Sequence, residues 1–108
     1  MLLGGGQLGQ TRILSEAAVQ AFGQTKGTER GLGWDVSSAY ALAVRGNLGG
    51  GFGHTGYTGT SMWLVPARGL AVIILTDRTY MGENSVTSTG IAHLRESVAD
   101  LVAQVYPK

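Results

Sequence analysis

The chain has 108 residues and a mass of 11.3 kDa, with eight Lys and Arg against seven Asp and Glu, and no cysteine. A formal charge of +1 leaves no electrostatic footprint for nucleic acid or an anionic membrane, and the lack of cysteine excludes a disulfide scaffold, a thiolate metal site and a cysteine nucleophile. The 44% hydrophobic content and the modest total of 18 glycines and two prolines argue against disorder and low complexity.

The length fits one domain, residues 1–108, with a modest core. Only 14% of the residues are charged, against ~25% in an ordinary domain. A small body has the most surface per residue, so part of this surface is expected to be covered, by another copy or by a portion of protein outside this sequence. No segment approaches the ~18 apolar residues of a membrane span. Met1 to Gly6 lacks the basic n-region of a signal peptide and its apolar run is too short for one, which makes the cytoplasm the default compartment. Met1-Leu2-Leu3 followed by three glycines reads as the last turn of a helix with a glycine cap, an abrupt start.

In chain order, Leu14 to Gly23 predicts a short helix. Ser15 is its N-cap, Glu16 suits the positive end of the dipole, and Gly23 closes it. Leu14 and Val19 stand at the positions of a hydrophobic staple. After a polar loop, Gly31 to Val36 is expected as a short strand with Trp34 packed inward, and Tyr40 to Val44 as a second one. The Gly-rich stretch 46–53 follows. Thr58 to Val65 alternates as a strand, with Met62 and Leu64 on one face and Trp63 and Val65 on the other. Pro66-Ala67-Arg68-Gly69 is turn chemistry. Leu70 to Leu75 is an unbroken apolar run, the pattern of a strand covered on both faces. Together these two runs predict an antiparallel hairpin. A C-terminal helix follows, with an apolar stripe of Ile91, Leu94, Val98, Leu101, Val102 and Val105, candidate caps Asn84, Ser85 and Ser88, and Pro107 at its end. The fold class is α+β: an antiparallel sheet of three to five strands, a packed C-terminal helix and a short N-terminal helix.

Gly51 to Gly56 matches G-x-G-x-x-G by letter. A dinucleotide fingerprint needs a helix next; here a strand pattern follows, so a flexible turn entering a strand is expected. The histidines His54 and His93 have no neighbouring ligands at metal-site spacing, and His93, off the apolar stripe, reads as an exposed or boundary residue. No G-x-S-x-G elbow occurs.

His54-Thr55-Gly56-Tyr57-Thr58-Gly59 precedes the strand to Val65, the Pro66–Gly69 turn and the apolar strand ending Leu75-Thr76-Asp77-Arg78. This ordered series resembles the C-terminal part of the serine β-lactamase and penicillin-binding-protein superfamily, and is most similar to class C β-lactamase-related proteins, which include esterases and D-aminopeptidases. Leu2 to Gly6, Arg12 to Ser15 and Gly31 to Trp34 fit in the same order. The resemblance covers nearly the whole chain but only about the last third of a full-length member; Asp77 departs from it, since the family more often has Asn there.

The resemblance implies that a K-T-G or H-x-G triplet lies on an edge strand lining the active site. His54 would take the lysine position of that triplet and Thr55 would offer its hydroxyl to substrate. Gly56 would allow close approach of the substrate backbone, and the Tyr57 N–H would be an oxyanion-hole donor, a role worth roughly 3–4 kcal/mol in acyl transfer. The family nucleophile is the serine of S-x-x-K. None of Ser15, Ser37, Ser38, Ser61, Ser85, Ser88 and Ser97 has lysine three residues on, and no tyrosine begins a Y-x-N. The chain is therefore expected to be inert alone, with no cofactor, complemented at most by an N-terminal portion of the hydrolase. The alternatives are an oligomeric binding or assembly module, and a weak hydrolase whose site, using His54, is assembled between subunits. Absence of covering helices would leave Leu70–Leu75 partly bare, which favours a homo-oligomer, in the simplest case a two-fold dimer.

Overall fold

The computed structural model describes residues 1–25, 27–80, 82 and 86–107, so the candidate caps Asn84 and Ser85 lie outside the described residues. The chain is α+β: a three-stranded antiparallel sheet carries α-helices on one face, and a two-stranded hairpin stands at the N-terminus. A 3-10 turn over Leu2–Gly4 is closed by left-handed Gly5, the glycine-capped start expected from the sequence. Strands β1 (Gln7–Leu8) and β2 (Thr11–Arg12) form the small hairpin. Helix α1 follows over Glu16–Phe22, its Ser15 Oγ accepting from the Ala18 N–H at 3.1 Å, as a serine N-cap does.

Two expected strands are absent. Tyr40–Val44 lies inside helix α2 (Ala39–Arg45). Ser38 decides this locally: its Oγ accepts from the Ala41 N–H and donates to the buried Asp35 carboxylate at 2.6 Å. Ala39, Ala41 and Ala43 are strong helix formers, and Ala41, Val44 and Leu48, spaced by three and four, form one buried line. Gly31–Val36 is not a strand either. Asp35 alone makes single bridges, to Arg30 on one side and Gly53 on the other. Trp34 is half-buried rather than fully inward, its ring edge-on to Phe52 with centroids 5.2 Å apart.

The sheet order is β3 (Phe52–Thr55), β4 (Gly59–Val65), β5 (Leu70–Asp77). The predicted hairpin is β4–β5, with Val65 opposite Leu70 and Trp63 opposite Val72. A 3-10 turn over Pro66–Arg68 and left-handed Gly69 joins them. A bulge between Gly59 and Ser61 interrupts the register. Gly59 sits there at φ +102°, where a side chain would be strained and would meet Ile91 Cδ1 at 2.9 Å.

The core lies on the helical face, where Ala41, Val44, Leu48, Trp63, Val65, Val72 and Ala99 pack together. Trp63 is wholly buried at its centre. The expectation of a β5 covered on both faces is corrected: Val72 is buried toward the helices, but Ile73 and Leu75 on the other face are 58% and 81% exposed. Helix α1 shields only the Phe52 end of that face, its C-cap Gly23 standing against the Phe52 ring.

Helix α3 spans Ser88–Val105 and ends before Pro107. Its cap is Thr87, whose Oγ1 accepts from the Gly90 N–H at 3.1 Å; Ser88 is already helical. The expected stripe is also corrected. Ile91, Arg95 and Ala99, at i, i+4 and i+8, are the buried line, with Val98 and Val102 half-buried beside it, while Leu94, Leu101 and Val105 face solvent. A three-stranded sheet is too narrow to cover more of the helix. No helix among the described residues is long and apolar enough to cross a membrane.

Candidate functional site

Gly51 to Gly56 is mostly strand β3 itself, not a flexible turn, and no helix follows it. β3 pairs only with β4 among the named strands, so it is an edge of the sheet. Its outer side is touched by Asp35, which exchanges backbone hydrogen bonds with Gly53. His54 pairs across β4 with Met62 and Thr55 with Ser61, and successive residues point to opposite faces. The four expected site residues therefore divide between two hollows. His54, Thr55 and Gly56 line one of about 380 Å³ on the bare face, together with Met62, Ile73 and Leu75. Thr55, Gly56 and Tyr57 line another of about 560 Å³, closed by Tyr40, Arg78 and the start of α3. His93 is exposed on α3 and borders this second hollow.

His54 is exposed, yet both ring nitrogens are engaged. Nδ1 lies 2.9 Å from the Thr55 carbonyl oxygen and Nε2 lies 3.2 Å from Arg30 Nη1. Arg30 in turn reaches the Asp35 carboxylate at 3.4 Å. That carboxylate is buried and also accepts from the Ser38 N–H and Oγ. A buried carboxylate, a half-exposed guanidinium and an exposed imidazole thus form one connected series.

The turn beyond β3 is held from the other side. Gly56 donates its N–H to Thr60 O at 2.7 Å, and a Cβ at Gly56 would collide with the Thr60 hydroxyl. Arg95, buried on α3, donates to the carbonyl oxygens of Gly56, Gly59 and Thr60 at 3.2–3.3 Å. Burial, and after it the like charge of Arg78, lowers the Arg95 pKa from its ordinary value. Arg78 donates to the Tyr57 carbonyl at 2.7 Å and lies over the Tyr57 ring at 4.6 Å. Two arginines therefore fix the backbone around Tyr57, the position expected to supply an oxyanion donor. At the end of β5, Asp77 Oδ1 accepts from the Thr79 hydroxyl and N–H, which hold its carboxyl below the usual carboxylate range.

Sequence reasoning missed Arg30, Asp35, Arg78 and Arg95. Asp35-x-x-Ser38 ahead of an Ala-rich segment is a legible capping signal, and Arg95 stands at the helical spacing between Ile91 and Ala99. Nothing local connects Arg30 to His54, 24 residues away.

An edge strand carrying His-Thr-Gly, two antiparallel strands after it and a C-terminal helix on one sheet face form the same ordered series that the sequence carries. A model of the β-lactamase family matches residues 1–96. The chain belongs to the β-lactamase family. Neither a curated protein nor a solved structure matches it. This β-lactamase-family match takes in the HTG strand, the β4–β5 hairpin and α3 as far as Glu96, so it includes Arg95 and the turn that Arg95 clamps.

Proposed function

We propose that this chain forms the sheet-side wall of a β-lactamase-type acyl-transfer pocket and performs no turnover by itself. Thr55 and Gly56 contact substrate in this reading, the Tyr57 N–H stabilises the developing oxyanion, and His54 stands at the head of the strand. The observation that carries it is an edge strand ending in His54 and Thr55, with Gly56 in the turn behind them, that turn being pinned by Arg78 and Arg95. Donors fixed before reaction are what oxyanion stabilisation needs. An oxyanion site polarises a carbonyl but does not attack it, and no serine here is followed by lysine three residues on. The nucleophile must then come from residues outside these 108.

The test is hydrolysis of nitrocefin and p-nitrophenyl acetate by the chain alone and with an S-x-x-K-bearing segment of the same family added. Silence alone and turnover on complementation support the reading. Turnover by the chain alone, lost in His54→Ala, would overturn it in favour of a site shared between subunits.

A second reading, a self-associating binding or assembly module, is favoured by the bare sheet face. Ile73 and Leu75 are exposed beside Met62, and β5, which pairs only with β4 among the described residues, carries no charge or proline between Leu70 and Thr76. Natural sheets ordinarily protect such edges. The two readings are compatible, since the same face can meet a second copy or a complementing segment. A two-fold dimer is the expected state of the chain alone.

A further inference from the structure

We infer that Arg30, anchored by Asp35, is a positioning residue for His54 and holds its imidazole with the proton on Nδ1. The assignment follows from what each partner can do. A carbonyl oxygen only accepts, so the 2.9 Å contact between His54 Nδ1 and Thr55 O requires a proton on Nδ1. A guanidinium only donates, so the 3.2 Å contact from Arg30 Nη1 requires a bare Nε2. One neutral tautomer satisfies both contacts, and the reverse tautomer satisfies neither.

Arg30 is itself held at two levels. Its guanidinium meets the buried Asp35 carboxylate at 3.4 Å. Its backbone is bridged to Asp35, and Asp35 is bridged onward to Gly53, the residue before His54. Asp35 cannot move away without breaking its two hydrogen bonds from Ser38, the residue whose Oγ caps α2. The loop that carries the guanidinium is thus built onto the strand that carries the imidazole.

Two consequences follow for the proposed pocket, and both rest on that reading. With Nδ1–H given to Thr55 and Nε2 given to Arg30, His54 has no nitrogen open to take a proton from a nucleophile. It acts there as a fixed wall rather than as a general base. The permanent positive charge at the head of the HTG strand belongs to Arg30, which is half-exposed and turns part of its fork to solvent.

The experiment is a long-range ¹H–¹⁵N spectrum of the labelled 108-residue chain with the imidazoles neutral, His54 being assigned by its loss in His54→Gln. Exposed His93 serves as the internal reference for an unconstrained ring, which favours the proton on Nε2. The expected result is a protonated-type Nδ1 and an unprotonated-type Nε2 for His54, opposite to His93, with Arg30→Gln moving His54 to the His93 pattern. The same pattern for both histidines in the unsubstituted chain would overturn the inference, as would a His54 pattern unchanged in a folded Arg30→Gln chain. If Arg30→Gln does not fold, the His54–His93 comparison decides alone. The readout requires no catalysis, so a complemented chain that stays inactive while His54 keeps the Nδ1–H pattern would overturn the pocket reading and leave this one standing.

Discussion

Asp35 and Gly53 exchange both backbone hydrogen bonds, at 2.8 and 2.9 Å, and this single reciprocal bridge joins the loop before α2 to the HTG strand. Gly53 is buried between that bridge and Trp63; a Cβ there would run into the Met62 carbonyl and stand 2.6 Å from the Trp63 ring. Gly53→Ala is expected to destabilise the fold by roughly 3 kcal/mol, at the upper end of overpacking costs. Asp35→Asn keeps the shape but loses the charge that Arg30 and Ser38 address, with an expected loss of about 1–3 kcal/mol. Urea unfolding followed by tryptophan fluorescence measures both; a change under 0.5 kcal/mol in either would contradict the bridge's role.

Arg95 gives three carbonyl oxygens of the β3–β4 turn their donor from α3. Arg95→Leu removes a charged donor from all three carbonyls, of which Gly56 O and Thr60 O keep the Gly59 and Gly56 N–H, and is expected to cost about 1.5–3 kcal/mol. Arg95→Lys, with one ammonium in place of a planar fork, recovers only part. Amide exchange gives the more specific check: protection of the β3–β4 hairpin amides, Gly56 among them, should fall in Arg95→Lys before the β4–β5 hairpin is affected.

These two contacts also mark how far the sequence could be read. The β4–β5 hairpin, α1 with its Ser15 cap and the α+β class were legible because local chemistry specifies them: alternation, a Pro-Ala-Arg-Gly turn, a capping serine. The Tyr40–Val44 segment was misread because its aromatic and β-branched ends suggest a strand, whereas Ser38 and three alanines outweigh them. In α3 the apolar count favoured Leu94 and Leu101, but the inward line is set by what the narrow sheet can cover and by carbonyls that draw Arg95 inside. The HTG strand was legible through family resemblance. Its supports were not, since Arg30, Asp35 and Arg95 reach that strand and its turn across 18 to 39 residues of chain and leave no periodic trace.

The Asp77 carboxyl at the end of β5 is held below the usual carboxylate range, chiefly by the Thr79 hydroxyl and N–H. A carboxyl whose folded pKa is depressed adds stability that is complete above its unfolded pKa and is lost as pH falls through the folded value. The Asp77–Thr79 turn is therefore expected to loosen below about pH 4. Asp77→Asn keeps the acceptor oxygen and removes that acid sensitivity. The Thr79 amide shift, titrated in both chains, reports it; identical titration curves would contradict the assignment.

Leu75, 81% exposed on strand β5, and Ile73 two residues before it give the bare face its apolar character. If a second copy covers this face, light scattering after size exclusion gives a dimer for the unsubstituted chain. Leu75→Lys shifts it to monomer while the unfolding midpoint of that monomer stays unchanged. A stable monomer at micromolar concentration in the unsubstituted chain would contradict self-association.

In the proposed function the chain is a wall that binds and polarises an acyl group without a group of its own to attack it. Intact-mass spectrometry after prolonged incubation of the 108-residue chain with excess penicillin and p-nitrophenyl acetate tests this most directly. The predicted spectrum is the unmodified mass alone. A covalent acyl adduct localised to any serine of the chain would contradict the account.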